Sequence, residues 1–138
     1  MIKYEEIREV HLELSTNCNA SCPLCPRNFG GYPYNAGYPI TELTLEDIKK
    51  IFEPTFIAQL KIILINGNLG DFMLARDALE IVEYFRSHNK ILNIMISTNG
   101  GARNKEFWST LASYKPTVVF CIDGLDDTHS IYRRDTSF

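Results

Sequence analysis

The chain has 138 residues, 45% of them hydrophobic, and a formal net charge of -3 from 14 basic and 17 acidic residues. That is one domain's length with enough apolar material for a core, which excludes a disordered or fibrous chain, and evenly spread charges give no cationic face for general nucleic-acid binding. No stretch reaches the roughly 18 apolar residues of a membrane span, and the start, MIKYEEIREVHLEL, is charged where a signal peptide needs an apolar block, so the chain reads as cytoplasmic with no membrane partner.

Residues 9–15 form the first expected strand, with Val10, Leu12 and Leu14 on one face. A long polar loop follows, carrying Cys18, Cys22 and Cys25 and then a glycine- and aromatic-rich stretch over residues 30–38 with Tyr32, Tyr34 and Tyr38, which either shields a site or packs the loop. A loop of that length points to function rather than connection. Thr44 reads as an N-cap with Asp47 three residues on, and Leu45, Ile48, Ile51 and Phe52 make a helical stripe that Pro54 stops; a second helix begins near Phe56. Residues 61–66 (KIILIN) read as a parallel strand covered on both faces, ending in the turn Gly67-Asn68-Leu69-Gly70-Asp71, a common ligand position.

Ala78, Val82 and Phe85 mark the next helix, over residues 77–88, and a strand over 91–97 closes on Thr98-Asn99-Gly100-Gly101. Asn104 caps a helix whose Phe107, Trp108, Leu111 and Ala112 face inward. Residues 117–122 (TVVFCI) read as a fourth buried strand ending in Asp123-Gly124, and residues 127–134 as a last helical segment.

Four βα units in succession imply a parallel sheet with right-handed crossovers, hence an α/β fold. A complete (β/α)8 barrel takes about 250 residues, so the expected fold is a partial (β/α) barrel: one incomplete domain over residues 1–138. Its last strand would be an open edge, which invites pairing or self-association and points to a missing C-terminal half or one half of an assembly.

Because a reducing compartment keeps thiols free, clustered cysteines here read as metal ligands rather than a disulfide framework. Cys18-Asn19-Ala20-Ser21-Cys22-Pro23-Leu24-Cys25 spaces three thiols along one loop, while Cys121, the fourth cysteine, lies far along the chain. A structural zinc site closes with four ligands and ordinary ferredoxin clusters take four cysteines. Three thiolates on a [4Fe-4S] cluster would leave one iron open to a substrate or cosubstrate. Zinc held by the three cysteines with His11, His88, His129 or Cys121 remains an alternative, as does a set of buried thiols, although the polar neighbours Asn17, Asn19 and Ser21 and two prolines mark the segment as a loop.

In the context LSTNCNASCPLCPR, the Cys18-x3-Cys22-x2-Cys25 spacing after a first strand resembles the radical S-adenosylmethionine (radical SAM) superfamily. The resemblance runs over nearly the whole chain: Gly67-Asn68-Leu69-Gly70-Asp71 is similar to that family's glycine and acidic motif, Thr98-Asn99-Gly100 to its third-strand ending, and Cys121-Ile122-Asp123-Gly124 with His129-x3-Arg133 to its fourth. Cys25-Pro26-Arg27 and the Asp-Gly…His-x3-Arg pattern resemble most the peptide- and protein-modifying (SPASM-type) branch.

The resemblance implies that Cys18, Cys22 and Cys25 ligate a [4Fe-4S] cluster and that S-adenosylmethionine chelates the open iron. An external one-electron donor would then drive its cleavage to a 5'-deoxyadenosyl radical, which abstracts hydrogen from a substrate the sequence does not name. It further implies cosubstrate contacts from Gly67, Asn68, Gly70, Asp71, Thr98, Asn99, Cys121, Asp123 and Arg133. Asp71 stands where the family has a longer glutamate, and its other reading is a cap on the next helix. Cys121 stands where the family often has a serine that bonds the ribose; a thiol is the weaker partner, and a small buried strand residue is the other reading. Arg133 either pairs with the cosubstrate carboxylate or ends a helix in solvent. The expected function is a radical SAM enzyme; the alternatives are a non-catalytic iron-sulfur or electron-transfer module and a zinc-stabilised interaction domain.

Overall fold

The computed structural model describes residues 2–29, 32–33 and 39–136. Of the tyrosines in the 30–38 stretch, Tyr34 and Tyr38 lie outside the described residues, and only the backbone of Tyr32 lies within them. The elements are β1 (Glu9–Leu12), β2 (Asn28–Phe29), β3 (Tyr32–Pro33), α1 (Leu45–Ile51), α2 (Pro54–Gln59), β4 (Ile62–Ile65), α3 (Ala78–His88), β5 (Asn93–Thr98), α4 (Lys105–Ser113), β6 (Thr117–Phe120) and α5 (His129–Tyr132). β2 and β3 pair antiparallel as a small hairpin. The other four strands form one parallel sheet in the order β1-β4-β5-β6. Four parallel strands alternating with helices are the expected partial α/β barrel.

Register explains the core. Val10, Ile63 and Ile94 align across three strands, as do Leu12, Ile65 and Ile96, so one sheet face gathers β-branched side chains in rows. Leu12, Ile63, Ile65, Ile94 and Ile96 there join Ile48, Ile57, Ile81, Val82, Phe85 and Leu111 from the helices in a single core. Residues on the other face, Ile62, Leu64, Met95 and Ser97, stay part-exposed. The expected cover on both faces of residues 61–66 is therefore corrected: the apolar run is buried on the helix side alone.

β1 is shorter than residues 9–15, because beyond Leu12 the chain leaves its parallel partner. Leu14 remains buried, but it and Thr16 bond the 41–43 segment instead: Leu43 N–H donates to Leu14 O and Thr16 N–H to Thr41 O, both at 2.9 Å. α2 starts at Pro54 rather than near Phe56; proline ends one helix and, lacking an N–H, suits the first turn of the next. Ile51 and Ala112 point outward. β5 begins at Asn93, since Ile91 is exposed in the preceding turn. The largest departure is β6: Val119 and Phe120 are 45% and 50% exposed and Ile122 beyond it 56%, because the strand is paired only on its β5 side among the described residues. α5 is confined to four residues.

Candidate metal and cofactor site

All four parallel strands run the same way, so their exits share one edge of the sheet, where α/β folds place ligands. The cysteine loop leaves β1 there, the 66–71 turn leaves β4, the 98–101 turn leaves β5 and residues 121–124 leave β6. The structure brings these four segments together through named bonds.

Asp71 is the junction. It is buried, and its carboxylate accepts from the Thr98 hydroxyl (2.8 Å), the Asn99 backbone N–H (2.8 Å) and Met73 N–H (3.1 Å), while its own N–H donates to Asn17 O at 2.8 Å. Asp71 thus caps the short 3-10 turn Phe72–Leu74 and ties the exits of β1, β4 and β5 together. Gly70 beside it has no room for a side chain: a Cβ would lie 1.8 Å from Ser15 O. Gly67 packs against the Gly70 carbonyl in the same turn, and Asn68 donates through its backbone and side chain to the Glu13 carboxylate. Gly100 takes the left-handed φ of 74° that sends the β5 exit back toward the loop.

Asn99 carries the β5 exit onto the cysteines. Its Nδ2 donates to Cys18 Sγ at 3.6 Å and to Asn19 Oδ1 at 3.0 Å, its Oδ1 accepts from Gly101 N–H at 2.7 Å, and Asn19 Nδ2 donates to Gly101 O at 3.1 Å. The Ala20 N–H donates to Cys18 Sγ at 3.4 Å, and Arg133 Nη1 donates to Cys22 Sγ at 3.8 Å. Arg133 also pairs with Asp123 through Nε. Cys121 N–H continues the ladder to Thr98 O at 2.8 Å, which puts its residue at the β6 exit, apart from the three-cysteine loop in the chain but on the same edge. All four cysteines are free; Cys22 is buried and the others part-buried. Burial pushes the Cys18 thiol up, against the Ala20 N–H, and pushes Cys22 up, against Arg133. Burial opposes the charge on Arg133, but Asp123 and Cys22 outweigh it and keep the guanidinium protonated.

Asn19, Ala20 and Ser21 are site residues that sequence reasoning passed over. Asn19 and Ser21 were legible only as markers of a loop, although polar side chains and free amides between clustered thiols are the natural source of donors to sulfur. Among the described residues, the hydrogen bonds of the histidines lead away from the cysteines: His11 Nε2 meets Asn66 O, His88 Nδ1 meets Tyr84 O, and His129 Nε2 meets Thr136 Oγ1. Among the described residues, no three His, Cys, Asp or Glu side chains stand as a group around one metal ion. A cubane puts its irons at separate corners and so takes its thiolates further apart than a single zinc ion does. Three free thiols on one loop, two of them already receiving N–H donors, fit that donor set.

The model of the radical SAM superfamily matches residues 12–138. The chain belongs to that superfamily. Radical SAM proteins use a [4Fe-4S] cluster and S-adenosylmethionine in radical chemistry. No curated protein matches the chain. Two solved structures show the same fold: BtrN in complex with AdoMet and 2-DOIA, 16% identical with a TM-score of 0.66 over 83% of this chain and 45% of that one, and selenomethionine BtrN in an open conformation, 17% identical with a TM-score of 0.67 over 88% and 53%. This radical SAM chain therefore spans about half the length of the structures it resembles. Among the described residues, no helix is long and apolar enough to cross a membrane.

Proposed function

We propose that this chain binds one [4Fe-4S] cluster through Cys18, Cys22 and Cys25, takes S-adenosylmethionine at the iron they leave open, and forms a single domain over residues 1–138 of a cytoplasmic oxidoreductase. With an electron from an external donor, the bound pair supplies reductive cleavage of S-adenosylmethionine to a 5'-deoxyadenosyl radical that abstracts hydrogen from a substrate. The observation that carries the reading is the three-thiol loop at the carboxyl edge of a parallel sheet, with N–H donors on Cys18 and Cys22. Ala20 and Asn99 orient the Cys18 sulfur. Backbone groups of Gly67, Gly70 and Thr98, with Asn68, Asn99, Cys121, Asp123 and Arg133 around them, line the cosubstrate side. Asp71 braces the turns that present those groups. The substrate itself is not named by the sequence; the Cys-Pro-Arg and Asp-Gly…His-x3-Arg patterns support a peptide or protein as its class.

Anaerobic reconstitution with iron and sulfide tests this. The wild type should take up one cluster, Cys18→Ala, Cys22→Ala and Cys25→Ala should each lose it, and Cys121→Ser should keep it. A full iron load in Cys22→Ala, or zinc in place of iron, overturns the reading; loss of iron in Cys121→Ser would mean a closed four-cysteine site. A second reading is a cluster-binding module without turnover, in which the edge of β6, with Val119 and Phe120 exposed, stays uncovered. Deoxyadenosine formed under reductant separates the two.

A further inference from the structure

The chain after β6 returns to the cysteine loop. Gly124 allows the tight turn, since a Cβ there would meet His129 N at 2.5 Å, and buried His129 anchors α5. The Ser21 N–H then donates to Arg134 O at 2.9 Å, and Arg133 N–H donates to His129 O at 2.8 Å. These bonds set Arg133 beside Cys22, with Nη1 on the sulfur and Nε on the Asp123 carboxylate. The Arg133 side chain is 20% exposed and that of Asp123 38%, so the cation is shielded from water more than the carboxylate that aims it. Asn99, which meets Cys18, is neutral, and Arg27 directs Nη1 to the Cys18 carbonyl rather than to a sulfur. Among the described residues, Arg133 is the charged side chain that hydrogen-bonds a cysteine sulfur of the loop.

We propose that Arg133 is a positioning residue that raises the reduction potential of the cluster through a charged hydrogen bond to Cys22 Sγ, with Asp123 aiming the guanidinium and damping its charge. The inference rests on the three-cysteine reading above. Reduction adds one electron from the donor to the centre and moves no proton at Arg133. A fixed positive charge and an N–H at the sulfur stabilise that added negative charge, and hydrogen bonds to sulfur and net charge are levers on cluster potential. The fork geometry of guanidinium lets one group serve sulfur and carboxylate together.

The test is a redox titration of the full chain, anaerobically loaded and followed by its reduced-cluster signal, with iron content measured alongside. Arg133→Gln should hold electrons about tenfold less well, ~59 mV more negative for a one-electron couple, with its iron load kept. Arg133→Lys should restore most of the shift, and Asp123→Asn, which keeps an acceptor but removes the opposing charge, should move the potential upward. An unchanged potential in Arg133→Gln overturns the inference, and so does a downward shift in Asp123→Asn. Loss of iron in both Arg133→Gln and Arg133→Lys also overturns it, because the residue would then only build the loop. A wild type that takes no cluster fails the underlying reading instead, and the inference falls with it; the two failures are told apart by the wild-type iron content.

Discussion

Asp71 is one buried carboxylate with three donors on it, drawn from two turns, and a backbone N–H on a third. Removing its side chain strands the Thr98 hydroxyl and two amides where water does not reach, and each stranded group costs on the order of 1–3 kcal/mol. Asp71→Ala should therefore lose about 3 kcal/mol or more in denaturant unfolding, among the larger effects of single substitutions. A variant within about 0.5 kcal/mol of wild type that instead binds S-adenosylmethionine less well would make Asp71 a ligand contact and not a brace. Its short side chain makes sense in this setting, since its reach is spent on Thr98 and Asn99 inside the protein. A glutamate at the same backbone position would carry its carboxylate past them.

The helix ends share their caps across elements. Thr44 and Asp47 form a reciprocal box at the start of α1, as expected from their spacing, and the Thr44 bonds hold the Asp47 carboxyl low. Asp77 precedes α3, yet its carboxylate accepts from Leu45 N–H at 2.9 Å and so caps α1. That bond holds the Asp77 carboxyl below its ordinary value of 3.8. A depressed carboxylate contributes stability that is complete above the ordinary value and is lost as pH falls through the folded one. Asp77→Ala should be destabilised by ~1 kcal/mol at neutral pH, and thermal melts should show the gap to wild type closing below about pH 3.8; a gap that persists in acid would assign the loss to packing. The caps, the 3.6-residue stripes of α3 and α4 and the β-branched runs were legible because each is a local pattern. What covers an element is not local: TVVFCI reads the same whether buried or at an edge, and so do Ile51 and Ala112. The site divides in the same way. Three cysteines in one loop are legible from spacing, whereas the Arg133–Cys22 contact joins residues 111 apart and Asp71's partners lie 27 and 28 residues on.

At the scale of the molecule, helices cover one face of the sheet, and β6 ends it with no further strand beside it among the described residues. Val119 and Phe120 on β6 are exposed, as are Ile122, Leu125 and Ile131 in the chain after it, and natural proteins normally pair or mask an apolar edge strand. Covering each such side chain is worth about 1.5–3 kcal/mol, so a few of them rival the ~5–15 kcal/mol that holds a domain together. The 138-residue chain should therefore self-associate in anaerobic light scattering after cluster loading, and Val119→Lys, a charge on the edge strand, should shift it toward monomer. A wild type that is monomeric and cleaves S-adenosylmethionine at rates ordinary for the superfamily would refute both this and the second reading of function.

The bond from Ser21 to Arg134 also sets an order of events during synthesis. The cysteine-bearing loop emerges from the ribosome early, but the segment that pins it is made only after the four parallel strands described here. Closing so long a span carries an entropic cost that the intervening contacts must first reduce. Thiols made early thus reach the geometry described here only after Arg134 has been made, and the proposed loading of a cluster belongs after that point, with the newborn loop exposed to oxidants until then.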